Sequence, residues 1–107
     1  MDDIPMTVDR YFYPFYHFMK SKGFEIETAT YDKDGEEFAC ILIFKAGTDF
    51  KKLVNFMDLI NKDINTGILL SSTDNSYSVG LQKDGTVIMT MDKKHHTAII
   101  CYIMANG

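Results

Sequence analysis

Asp92-Lys93-Lys94-His95-His96 places five titratable side chains in a row, and Cys101 follows five residues later. Adjacent histidines can ligate a metal, but a zinc site needs three or four ligands at set spacings. This chain has three histidines in all, and Lys93 and Lys94 oppose a cation beside the pair. The run therefore reads as a solvated polar loop, with contact to an anion or small ligand through Lys93, Lys94, His95 and His96 as the secondary reading. Cys101 lies within Ile99-Ile100-Cys101-Tyr102-Ile103, apolar surroundings that do not activate a nucleophile. Cys40 and Cys101 both read as buried free thiols, consistent with a reducing cytoplasm.

Other chemistry is weaker. Asp32-Lys33-Asp34-Gly35-Glu36-Glu37 is rich in oxygen ligands, yet a calcium loop alternates them over about twelve residues and ends in a bidentate glutamate. Lying between two strand patterns, this run is hairpin turn chemistry instead. Glu25 and Glu27 share one face of a strand pattern and read as a solvent edge. Serines 71, 72, 76 and 78 have no histidine close in sequence. The glycines are scattered among turns, so no phosphate-binding loop or dinucleotide fingerprint is present. No catalytic set, metal site or cofactor is expected.

The elements that position these residues follow from periodicity. Val8, Tyr11, Phe12, Phe15, Phe18 and Met19 repeat at helical spacing, with Gly23 just past the end. Pro14 either kinks this helix or starts it. Phe24 to Tyr31 alternates as a half-buried strand, and Phe38 to Phe44 is apolar throughout, as in a strand covered on both faces. Thr48 and Asp49 open a second helix, capped by Thr48, whose stripe is Phe50, Leu53, Val54, Met57, Ile60 and Ile64. The rest reads as a four-stranded meander: Ile68 to Ser72, Tyr77 to Gln82, Thr86 to Met91 and Thr97 to Ala105, with turns at Asp74-Asn75, Lys83-Asp84-Gly85 and Asp92 to His96. The expected fold is one α+β domain over residues 1–107. It has an antiparallel sheet of about five to six strands, two amphipathic helices and the order α-β-β-α-β-β-β-β.

Two features exceed what such a fold requires. Tyr11 to Phe18 holds six aromatic residues in eight, and Tyr13, Tyr16 and His17 fall off or beside the core stripe. On the second helix Leu59 points away from the stripe and Phe56 lies on its edge. The fully apolar strands Phe38 to Phe44 and Ala98 to Ala105 lack the alternation of a sheet wetted on one side. As a strand, the latter would bare Ile99, Cys101 and Ile103 beside Ile41 and Ile43. A patch of that size marks a contact surface. The expected partner-binding residues are thus Tyr13, Tyr16, His17, Phe56, Leu59, Ile99, Cys101 and Ile103.

Composition narrows the classes. A net charge of −4 gives no basic face for nucleic acid or an anionic membrane. The longest apolar run, Ala98 to Ala105, is far short of the ~20 residues that span a bilayer. No basic n-region followed by an apolar stretch opens the chain, so a cytoplasmic protein is expected. Lysine outnumbers arginine ten to one, and Phe, Tyr, Met, Ile, Asn and Lys make up 47 of 107 residues. Their codons are AT-rich, which points to a low-GC microbe, or a phage or mobile element within one. The reading that results is a small standalone protein-binding module, an inhibitor, antagonist or immunity-type regulator, that self-associates as a homodimer or higher assembly. The competing expectation is a homo-oligomer that binds a small ligand or nucleotide between subunits, near Tyr13, Tyr16 or the His95 loop. An enzyme would have to draw on Asp92, His95 and His96.

Overall fold

Pro14 decides where the first helix begins. In the computed structural model, which describes residues 4–34, 37–66 and 77–106, a 3-10 turn at Arg10–Phe12 leads into helix α1, Tyr13–Ser21, with Pro14 in its first turn. There the missing N–H of proline costs nothing. Asp9 Oδ1 accepts the Tyr11 N–H at 2.8 Å and caps the 3-10 turn. Val8 before it is extended and bridges Ala29 in parallel. The helix stops at Gly23, whose φ of 93° only glycine adopts without strain. Phe24 N–H closes onto Met19 O at 2.9 Å and Gly23 N–H onto Lys20 O at 3.0 Å, the two bonds of a Schellman stop.

Strands β1, Ile26–Asp34, and β2, Glu37–Phe44, form an antiparallel hairpin. Helix α2 spans Phe50–Thr66. Its cap is Asp49, whose Oδ1 accepts the Lys52 N–H at 3.1 Å, while the Thr48 hydroxyl instead donates to Lys45 O at 2.6 Å. The expected Thr48 cap is thus displaced by one residue. Strands β3, Tyr77–Leu81, and β4, Val87–Asp92, pair antiparallel around a turn in which Asp84 accepts the Thr86 N–H and Gly85 sits at φ 89°. The expected strand Ile68 to Ser72 and the turn at Asp74-Asn75 lie outside the described residues.

The largest correction is at Thr97 to Ala105. This apolar run is helix α3, Lys93–Asn106, and the expected polar loop at Asp92 to His96 is its cap and first turn. Asp92 Oδ1 accepts the His95 N–H at 2.7 Å, satisfying an amide that a helix start leaves bare. An unbroken apolar run fits a buried strand and a buried helix segment equally well, and the cap settles the choice. The fold is still α+β on an antiparallel sheet. Among the described residues, however, that sheet has four strands in the order β1-β2-β4-β3, not five or six, and the helices number three, not two.

All three helices cover one face of the sheet. Ile26, Ala29, Cys40, Leu42, Phe44, Val87, Met89 and Met91 point into that layer and are each 2% exposed or less. From the helices they meet Phe12, Phe15, Met19, Leu53, Met57, Ile60, Ile64 and Ile99 in a single core. Helix α3 lies between α1 and α2, over the central strands β2 and β4. Its Ile99 and Ile103, four apart, face inward together, whereas Cys101 turns outward.

Candidate functional site

The face of the sheet away from the helices carries no layer among the described residues. Strand register assembles it in rows, two of them across all four strands and a third, Asp32, Ala39 and Asp92, across three. Thr28, Ile43, Ile88 and Gly80 form one row across the four strands; Thr30, Ile41, Thr90 and Ser78 form the next. Side chains alternate between faces along a strand, so these eight sit opposite the core residues. Ile41, Ile43 and Ile88 are half-buried. Gly80 leaves room beside Ile88, since a Cβ there would stand 3.9 Å from Ile88 Cγ2. Ser78 Oγ and Thr90 Oγ1 share a hydrogen bond of 2.6 Å, which satisfies those hydroxyls within the sheet. The two rows contain no charged residue.

A second unusual region is the first turn of α3. His95 and His96, expected in a solvated loop, are 2% and 1% exposed. His95 Nε2 lies 2.9 Å from Asn61 Oδ1 of α2, and its ring stacks on Tyr77 of β3 at 5.0 Å between centroids and 15° between planes. Burial, against the opposing pull of Asp92, lowers the basicity of this imidazole. His96 points the other way into aromatic rings: Tyr11 at 4.8 Å, Phe12 at 5.0 Å and Phe15 at 6.1 Å. Both of its ring nitrogens are buried with no hydrogen-bond partner among the described residues. Burial first, and His95 second, depress it to about 4, so the ring is neutral at physiological pH. Tyr77 and Cys40 nearby are each pushed up to about 12, chiefly by burial and further by Asp58 and Asp92 respectively.

The outward side of α3 bears a groove of about 400 Å³ lined by Lys93, Lys94, Thr97, Ala98 and Cys101. Lys93 and Lys94 are therefore accessible to an anion, but His95 and His96 are not, and the expected four-residue contact divides in two. Cys101 is exposed in this groove, which corrects its reading as a buried thiol; Cys40 is buried in the core, and neither forms a disulfide.

The expected partner-binding residues do not assemble into one surface. Tyr16 is 3% exposed and Ile99 fully buried, so both belong to the core. Tyr13 and Ile103 pack against that core from its margin. Phe56 stacks on Phe18 at 5.9 Å and lies 5.5 Å from Phe24, filling the seam between α1 and α2. His17, Leu59 and Cys101 remain exposed, on three different helices. Their separation follows from the helical form of α3, which removes the strand face on which Ile99, Cys101 and Ile103 were to align. Sequence reasoning named Ile41 and Ile43 only as neighbours of that strand and missed Ile88. The signal was there: Val87 to Met91 is apolar on both parities except at Thr90, so Ile88 had to face away from Val87 and Met89.

Among the described residues, no three His, Cys, Asp or Glu side chains gather to hold a metal ion, and no helix is long and apolar enough to cross a membrane. No protein-family model, curated protein or solved structure matches this chain.

Proposed function

We propose that this protein acts by binding another protein, as a small inhibitor, antagonist or immunity-type regulator, and that the helix-free sheet face is its contact surface. The observation that supports this reading is the triangle of Ile41, Ile43 and Ile88 at the centre of that face. A sheet wetted on one side normally carries polar residues there. Interface cores are depleted in charge and apolar at the centre, and the two rows share that make-up. The surrounding Thr28, Thr30, Thr90 and Ser78 are β-branched or small, so the surface is flat and suits a partner's own sheet or helix face. The polar flank of the partner would meet hydroxyls within the two rows, and Asp32 and Asp92 in the row beyond them.

The test is site-specific photocrosslinking. A photoreactive residue at position 43 or 88 is compared with one at Lys51, exposed on α2, in lysate of the source cells. Crosslinking to one defined protein from 43 and 88 but not from 51, abolished when Ile41→Lys is added, supports the reading. Equal labelling from all three positions, or none from the sheet, removes it.

A further inference from the structure

His96 is expensive to keep where it is. A buried polar group without a partner forfeits its hydration and gains nothing in return, and native proteins hold few of them. A phenylalanine would fill the space between Tyr11, Phe12 and Phe15 without that loss. We infer that the first turn of α3 is an acid-sensitive latch, in which neutral His96 and His95 pin α3 to the rest of the helical layer and protonation releases it. This inference is independent of the sheet face.

The geometry gives the two histidines opposite grips. His96 holds the 3-10 turn and α1 through its ring contacts, and His95 holds α2 and β3 through Asn61 and Tyr77. Among the described residues nothing accepts a proton from His96, while around His95 the pull of Asp92 is outweighed by burial. From the 3-10 turn, His96 faces Tyr11, a neutral phenol whose hydroxyl is engaged by the Thr97 side chain. From α1 it faces Phe15 alone. From β2, Cys40 lies near Tyr11 and stays protonated because of its burial. From α2 and β3, His95 faces Asn61 and Tyr77, with Asp58 further off beside Tyr77. Asp92 at the end of β4 is the one carboxylate of the turn, and it already accepts the His95 N–H. On α3 itself, protonation would make Lys93, Lys94, His95 and His96 all cationic within one turn. That turn is the positive end of the helix dipole, where cations are least tolerated.

The direction of the pH response follows. Both imidazoles are less basic in the closed form than a free histidine near 6.5. The open form therefore takes up protons first. The latch is at full strength above pH ~6.5 and weakens as the pH falls towards 4, where His96 protonates even in place. Opening bares Tyr11, Phe12 and Phe15, an aromatic surface covered at neutral pH.

Hydrogen exchange read by mass spectrometry between pH 7.5 and 5, corrected for intrinsic rates, tests this. Opening of residues 10–12 and 93–97 should rise by up to about tenfold between pH 6 and 5 through His96 alone, with His95 adding to the rise in the same direction. The amides of Ile41 to Phe44 in the β2–β4 ladder should keep their protection over that range. His96→Phe retains the ring cage and should remove the roughly tenfold share of His96, leaving a shallower rise; adding His95→Gln should flatten what remains. His17→Gln, at an exposed histidine outside the latch, should leave the profile unchanged. Wild-type steepness in His96→Phe, or loss of the sheet ladder in step with the α3 turn, would overturn the inference. The single variant decides the question even where the double variant does not fold.

Discussion

Strand β2 meets two environments on its two faces, and the contrast between them separates stability from recognition. Cys40, Leu42 and Phe44 sit under the helices with no exposure at all, while Ile41 and Ile43, the residues between them, face the helix-free side. The two sets are alike in hydrophobicity. What differs is the cover: among the described residues, three helices press on one set and none on the other. On the covered face, apolar residues are explained by burial, which contributes roughly 25 cal/mol per Å² removed from water. On the open face the same explanation fails, because threonine holds a strand equally well there and tolerates water better. The described residues give the isoleucines of the open face no cover, and the proposed partner would supply one.

The widest gap between the two faces appears on truncation. Leu42→Ala on the covered face removes side-chain volume from a fully packed site that the helices cannot collapse into. A loss of about 2–5 kcal/mol is expected in urea unfolding. Comparable damage from Ile43→Ala would show that the open face is as load-sharing as the core, and the contrast drawn above would vanish.

A middle-sized effect belongs to Asp92, the residue that makes α3 possible. It ends β4, and its carboxylate caps the first turn of the helix that roofs the covered face. Asp92→Ala should cost about 1 kcal/mol of stability, within the range of lost N-caps, whereas Asp92→Asn, which keeps an accepting oxygen, should recover most of it. Equal losses in both would assign the effect to charge beside Lys93 and Lys94 rather than to the capping bond. Asp92 also explains what was legible in the sequence and what was not. The strand near Tyr77 to Gln82, the helical stripe from Leu53 to Ile64 and the turn at Lys83-Asp84-Gly85 each carry a period or a turn residue, and each appears where expected, although Leu81 is exposed. Ala98 to Ala105 carries neither, because a run apolar at every position has no period. Only the aspartate preceding it, read as a cap, distinguishes helix from strand. The site was obscured by the same ambiguity. With α3 read as a strand, Ile99 and Ile103 were counted on an open face they never reach, and the face that does exist, with Ile88 at its centre, depends on strand order. Pairing of β2 with β4, across the whole of α2 and β3, is a long-range choice that local spacing does not encode.

The smallest expected effect is the most informative about the open face. Ile43→Thr and Ile88→Thr keep β-branched side chains in adjacent positions of one cross-strand row. Strand propensity is thus nearly conserved, and only apolar area on the helix-free side is lost. Each variant should shift unfolding free energy by less than about 1 kcal/mol, the whole span of the strand-propensity scale. On the partner side the cost is paid differently: a side chain at the centre of a contact surface, desolvated on binding, can account for about 2 kcal/mol or more when truncated. The pair of measurements, urea unfolding of the free protein and affinity for the crosslinked partner, should therefore diverge in these variants and run together in Leu42→Ala. Parallel losses of stability and binding at Ile43 and Ile88 would mean that the isoleucines serve the sheet itself, and that the partner docks elsewhere.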